Sequence, residues 1–299
     1  MNLSGKMTLS EQMIGYEALR DRAAWIDLSA RGKIKLTGED RARLLHAMTT
    51  NHIQQLTPGT GCYAFFLNDK GRVIADANIL CRPDYFLLDV EPETRQPLYQ
   101  HLDRFIIADD VTLEDTTDSI ATIAIEGPQA VDVLQRAGLP IPEAEYSTVD
   151  SDESVIARLN STGSPGFFVF VPVAEKSALI SRLEAAGAEP ADAAAARVVR
   201  LEHGKPRYSE DISERFLAQE ANQPQALHFS KGCYLGQEIV ERVRSRGQIH
   251  RVLKPLILET KEPPAPGTKL NAGGADAEIT SAAYSPALDK VVALAYVRV

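Results

Sequence analysis

The sequence predicts an α+β protein with more than one core, and three observations carry that expectation. At 299 residues the chain is long for a single hydrophobic core. Runs with strand character alternate with helical apolar spacing as far as about residue 205. Beyond Lys261-Glu-Pro-Pro-Ala-Pro-Gly267, a turn-rich punctuation, short strand-like runs continue with no helix between them.

Residues 1 to about 24 read as a polar lead-in with some helix, and Ile34–Leu36 as a short strand. Thr37-Gly-Glu-Asp40 has the pattern of a capping box and opens a helix through Leu44, Leu45 and Met48. Cys62–Leu67 and Val73–Leu80 are apolar strands joined by Asn68-Asp-Lys-Gly71, where Gly71 can take the left-handed conformation of a tight hairpin. Tyr85–Val90 is a third strand, and Leu98, Leu102, Phe105 and Ile106 recur at helical spacing. Thr122–Ile125 is a strand, and Pro128 and Gly138 bracket a helix. Phe167–Val171 is a strand; a helix over Leu179–Leu183 stops at Gly187, and the alanine-rich run from Ala191 continues as helix through Leu201. The runs Val252–Leu258, Lys269–Leu270, Glu278–Ala283 and Val291–Val297 predict a small antiparallel barrel or sandwich.

Composition narrows the function. Hydrophobic residues at 44% and charged residues at 24% suit a folded globular chain. A net charge of −9 opposes the broad phosphate neutralisation of nucleic-acid binding, so no direct nucleic-acid partner is expected. A local basic strip remains at Arg242-Val-Arg-Ser-Arg246 with Arg251. Cys62, Cys81 and Cys233 are odd in number and form no C-x-x-C pair, which predicts neither a disulfide framework nor a zinc site and suits a reducing compartment. The N-terminus lacks an apolar run of signal-peptide length and no stretch approaches a membrane span, so a cytoplasmic protein without a membrane partner is expected. The six histidines make no metal-binding spacing, and no G-x-G-x-x-G follows a strand.

Three segments could carry chemistry. Lys231-Gly-Cys-Tyr-Leu-Gly-Gln-Glu238 places a thiol between Gly232 and Gly236, with Tyr234, Gln237 and Glu238 close by. Lys231 beside Cys233 would favour the reactive thiolate, while a small buried thiol is the plain alternative. Asp76 interrupts the apolar run Val73–Leu80 and shares a face with Asn78; it either faces solvent or faces a ligand. Arg200 and Glu202 stand at a helix end before Gly204, where a surface ion pair or a cap is the ordinary reading.

The segment Phe229–Glu238 closely resembles the signature of the YgfZ family, folate-binding proteins related to the T-protein (aminomethyltransferase) of the glycine cleavage system. The resemblance runs in order through Ile26–Ser29, Leu36–Asp40, Met48–Asn51, the hairpin with Tyr63, Gly71 and Asp76, Glu126-Gly-Pro128, Gly166–Pro172, Arg200–Gly204 and Val292–Tyr296. It implies a T-protein-like three-domain ring: two mixed α+β regions, 1–110 for folate and 111–225 interleaved with it, then 226–299 with the Cys233 segment and a C-terminal antiparallel β-barrel. It further implies tetrahydrofolate or a one-carbon-substituted folate as cofactor, with Tyr63, Asp76, Arg200 and Glu202 lining its site and Asp76 and Cys233 as the catalytic candidates. Two departures stand out. Ala75-Asp76 occupies the place of a usual aspartate pair, and Phe168 stands where T-proteins carry a glutamate that grips the pterin.

The leading expectation from this resemblance is a folate-dependent aid to iron–sulfur cluster assembly or repair, supporting iron–sulfur enzymes such as the tRNA-thiolating proteins. The expected partners are then those proteins or their assembly machinery. The alternatives are a true aminomethyltransferase and a non-catalytic, folate-regulated adaptor.

Overall fold

The periodicities resolve into three sheets in the computed structural model, which describes residues 13–247 and 249–299, Arg246 by its backbone alone. The first twelve residues of the expected lead-in lie outside the described residues; the helix expected there is Tyr16–Asp21.

The first sheet has five strands in the order Gly61–Leu67, Val73–Cys81, Phe86–Val90, Gly32–Thr37 and Thr112–Asp115, all antiparallel. Helices Arg41–Met48 and Arg95–Asp103 bury Leu44, Leu45, Met48, Leu98 and Leu102 against it. The hairpin between the first two strands closes as expected. Gly71 has φ +68°, and Asn68 Oδ1 accepts the N–H groups of Lys70 (2.9 Å) and Arg72 (3.1 Å).

Six strands form the second sheet, in the order Glu189–Pro190, Ala24–Asp27, Ile120–Glu126, Gly166–Pro172, Ser154–Ala157 and Thr148–Ser151. All pairs are antiparallel except Ala24–Asp27 with Glu189–Pro190. Ala24–Asp27 thus joins strands that follow it in the chain by 102 residues (Ala24 opposite Glu126) and by 165 (Ala24 opposite Glu189). Helices Ala130–Arg136 and Lys176–Ala185 cover the outer face through Val133, Leu134, Leu179 and Leu183.

The third sheet, Arg251–Leu258, Lys290–Arg298, Ala275–Ser285 and Lys269–Ala272, is antiparallel. Its first and last strands are free edges, so the expected barrel is a half-barrel. Helix Ala193–Glu202, capped by Asp192 accepting from the Ala195 N–H at 2.7 Å, packs on this sheet and on Tyr16–Asp21. One core then joins all three sheets: Phe65 and Leu80 from the first, Phe168 and Phe170 from the second, Leu294 and Tyr296 from the third. The α+β class with a C-terminal antiparallel unit is therefore the fold observed.

Two local expectations change. Helix Arg41–Met48 forms, but the capping box does not: Thr37 ends a strand, and the Asp40 carboxylate accepts the Asp110 N–H at 2.9 Å. Docking of the 109–111 segment replaces the local cap. Beyond the Cys233 loop, Gln237–Arg246 is a helix, entered through Gly236 at φ +83°; Gln237 and Glu238 belong to its first turn. Strands Ala24–Asp27, Thr112–Asp115, Thr148–Ser151, Ser154–Ala157 and Glu189–Pro190 are not predicted from the sequence, each being four residues or fewer and too short to show a clear alternation. Among the described residues no helix is long and apolar enough to cross a membrane.

Candidate functional site

The hairpin builds the centre of the site. Tyr63 pairs with Asn78 and Phe65 with Asp76, which puts Tyr63 and Asp76 diagonally on one face. The Tyr63 hydroxyl donates to Asp76 Oδ2 at 2.6 Å. Asp76 is 8% exposed, so it does not face bulk solvent; it lines a cavity of about 720 Å3. Burial and the nearby Glu91 carboxylate push its carboxyl up to about 6, against the opposing pull of the Tyr63 hydroxyl and Arg31. The same environment, burial first and Asp76 next, holds the Tyr63 phenol well above its ordinary range.

Charged groups brace this wall. Arg31 donates from Nε and Nη2 to both oxygens of Asp89 at 2.8 Å, and Asn78 Nδ2 donates to Asp89 Oδ2 at 2.8 Å. Arg31 also reaches Glu91, which on its other side is ion-paired with Arg207 (Nε to Oε2 2.9 Å). Asp76 itself is left with a hydroxyl and no cation in hydrogen-bond contact among the described residues. A carboxyl in that setting changes protonation near neutral pH and is suited to holding or taking a proton.

The cavity lies where the sheets meet. The first sheet supplies Tyr63, Asp76 and Asn78; the second supplies Trp25, Asp27 and Phe168. Helix Ala193–Glu202 and the segments around Asn160, Lys205 and Gln225 complete it. Phe168, at 1% exposure, presents an apolar surface where the resemblance implied an acid. Arg31 lies 6.0 Å from its ring centroid.

The candidates divide between places. Asp76, Tyr63 and Arg200 line the one cavity. Arg200 is buried and not a surface pair; it is bound to Asp211 at 2.6 Å and Glu210 at 3.0 Å. Glu202 lies away from the cavity lining. It accepts from the Tyr16 and Ser285 hydroxyls, both at 2.5 Å, and so ties the first helix to the third sheet.

Cys233 is exposed and not a cavity residue, which removes the buried-thiol alternative. The expected help from Lys231 fails on direction. Its ammonium turns inward, donating to the carbonyls of His46 and Thr49 at 2.5 Å, and burial lowers it to about 7. It also lies 4.7 Å from the Tyr234 ring centroid, so both residues anchor the loop from beneath. Gly232 passes close to His46, and Gly236 sits against Leu67 and Asn68. The half-buried Cys62 thiol is pushed up to about 12 by desolvation and is inert by comparison. Among the described residues no group of three or more histidine, cysteine, aspartate or glutamate side chains is placed to hold a metal ion.

One residue went unremarked as a site feature. Glu126 is fully buried and its carboxylate takes the N–H and hydroxyl of Ser161 (2.6 and 2.7 Å), the N–H of Thr162 (2.9 Å) and the Thr162 hydroxyl. It holds the 160–163 loop on the cavity rim. An acid ending an apolar strand before Gly127-Pro128 was the available signal.

Two sheets and helix Ala193–Glu202 thus enclose one aromatic-walled cavity holding a perturbed acid, an arrangement typical of small-molecule sites. The GCVT N-terminal domain profile matches residues 11–231, and the chain belongs to that family. An aminomethyltransferase of Rubrobacter xylanophilus is 32% identical over 294 residues, covering 94% of this chain and 78% of that protein. One of Streptomyces coelicolor is 31% identical over 306 residues, with 94% and 80% covered. The fold matches the crystal structure of glycine cleavage system aminomethyltransferase T from Bartonella henselae with a TM-score of 0.86 at 22% identity, covering 95% of this chain and 80% of that one.

Proposed function

We propose that the cavity around Asp76 binds a reduced folate, tetrahydrofolate or a one-carbon-substituted form, and that the chain acts in transfer of a one-carbon unit of the aminomethyl type. The observation that carries this is Asp76: a buried carboxyl at about 6, held by Tyr63, in a cavity of a chain related to aminomethyltransferases. The residues fit the group. A cavity of about 720 Å3 suits a ligand of this size. Trp25, Tyr63, Tyr146 and Phe168 offer flat surfaces, and Asn160, Gln223 and Gln225 offer hydrogen bonds at the edges.

A reduced folate supplies a nitrogen able to carry the one-carbon unit. Asp76 would hold or accept a proton next to the ligand, and Tyr63 would fix the direction of that carboxyl. Arg31, Asp89 and Asn78 keep the strand face rigid, and Phe168 excludes water from one wall. Calorimetric titration with tetrahydrofolate tests the reading, with binding in the micromolar range expected (~10⁻⁶ M) and weakened by Asp76→Ala. Absence of any folate binding would end it. Methylene-tetrahydrofolate formation from an aminomethylated lipoyl carrier tests the transfer step.

The exposed thiol favours a second reading, the YgfZ-type role in iron–sulfur cluster assembly or repair. Cys233 would make transient contact with a client, since one cysteine cannot hold a cluster. Full restoration of iron–sulfur enzyme activity by Cys233→Ala in a deletion strain would remove that role.

A further inference from the structure

Six cationic side chains line the cavity, and four are matched by acids. Arg31 pairs with Asp89 and Glu91, Arg197 with Glu210, Arg200 with Glu210 and Asp211, and Arg207 with Glu91 and Glu93. The other two, Arg158 and Lys205, have no carboxylate within ion-pair distance among the described residues. Arg158 donates from Nη1 to the carbonyls of Pro142 (3.3 Å) and Glu143 (3.0 Å). Lys205 Nζ donates to the carbonyl and to Oδ1 of Asn160, at 2.5 and 2.6 Å. Two unmatched cations are unexpected in a chain with nine more acids than bases (41 against 32).

They also stand on one rigid platform. Arg158 and Asn160 flank Leu159, and the next two residues are pinned by the four bonds to Glu126. Asn160 Oδ1 further accepts the Gly163 N–H at 3.0 Å, so its grip on Lys205 is fixed. An ammonium has three donors, and two are used on Asn160. Burial, and then the Arg31 charge, hold Lys205 below the usual lysine range, with Glu126, Glu145 and the cavity acid Asp76 pulling the other way without touching it. The Glu126 oxygens are already taken by the loop, and Glu145 is exposed. A partly buried cation with no carboxylate in ion-pair contact is costly, and an anion from the ligand relieves that cost.

We propose that Lys205 and Arg158 form a carboxylate-binding subsite of the cavity, on the platform that Glu126 holds. This rests on the reading of the cavity as a ligand site and adds the group it recognises. An ammonium and a guanidinium fork lining one cavity, the first bound to Asn160 and the second two residues before it, suit a planar anion with two oxygens. That carboxylate comes from one of two sources: the glutamyl end of the folate, or a separate amino-acid substrate.

Calorimetry on the full chain separates them with four probes: tetrahydrofolate, p-aminobenzoylglutamate (carboxylates without a pterin), 6-methyltetrahydropterin (a pterin without carboxylates), and glycine added to folate-loaded protein. Lys205→Met is expected to weaken p-aminobenzoylglutamate and tetrahydrofolate by at least about ten-fold and to leave 6-methyltetrahydropterin unchanged, with Lys205→Arg restoring most of the loss. A loss confined to glycine also supports the subsite and assigns the separate substrate. Equal weakening of 6-methyltetrahydropterin, or no weakening of any carboxylate probe, overturns it. Wild-type protein that takes p-aminobenzoylglutamate through Lys205 but no pterin would leave the subsite standing and remove the folate reading. Arg158→Met, checked by its melting curve, repeats the test should Lys205→Met fail to fold.

Discussion

Asp76→Asn should make the ligand-free protein more stable at neutral and alkaline pH while damaging its site. The Asp76 carboxyl lies at about 6 in the fold and at 3.8 in an unfolded chain. Between those values the folded protein keeps a proton that the unfolded chain releases, so stability falls as pH rises through the window. The contribution is complete below about pH 4 and lost above about pH 6. The difference corresponds to about 3 kcal/mol of ionisation cost at one buried carboxyl. Asparagine has the same shape, carries no charge and can still accept the Tyr63 hydroxyl through its amide oxygen. Urea unfolding of both proteins should therefore agree near about pH 4 and differ by up to about 3 kcal/mol near about pH 8, the variant being the more stable. The same variant should bind tetrahydrofolate at least about ten-fold more weakly. A stability difference that does not grow with pH would show that Asp76 is not held in a desolvated, acid-facing setting.

Three further outcomes follow from the geometry. Glu126→Ala leaves the Ser161 and Thr162 donors without their acceptor and should lower unfolding free energy by about 3 kcal/mol, read by urea denaturation. Gly236→Ala places a Cβ 2.7 Å from the Asn68 carbonyl oxygen at φ +83°; it should cost more than about 1 kcal/mol and speed proteolysis within residues 228–240. A coloured thiol reagent should label Cys233 quickly in the native protein, with half-buried Cys62 and buried Cys81 reacting far more slowly until the chain unfolds, and Cys233→Ser should abolish the fast phase.

Much of this architecture was legible before folding. The hairpin of Asn68–Gly71, the strand at Phe167–Val171 and the helix ending near Leu201 come from local patterns that operate over a few residues. The antiparallel C-terminal unit comes from extended runs with no helical spacing between them, whereas its open half-barrel form is set by the two free edges of the sheet. The Gln237–Arg246 helix was not legible, because the two glycines before it and the charged residues within it obscure its apolar spacing at Ile239, Val240 and Val243.

The sequence by itself determined the elements, the acid in the strand Val73–Cys81 and the thiol between two glycines. Only the tertiary structure decided which of these meet. It turned Asp76 into a cavity beside Tyr63, sent Glu202 to Tyr16 and Ser285, and left Cys233 on the surface with the Lys231 charge facing inward. It also matched four of the six cavity cations and left Arg158 and Lys205 unmatched. The physical reason is range. Periodicity and turn chemistry act between neighbours in the chain, whereas the charge and burial of a side chain depend on residues brought to it from more than a hundred positions away.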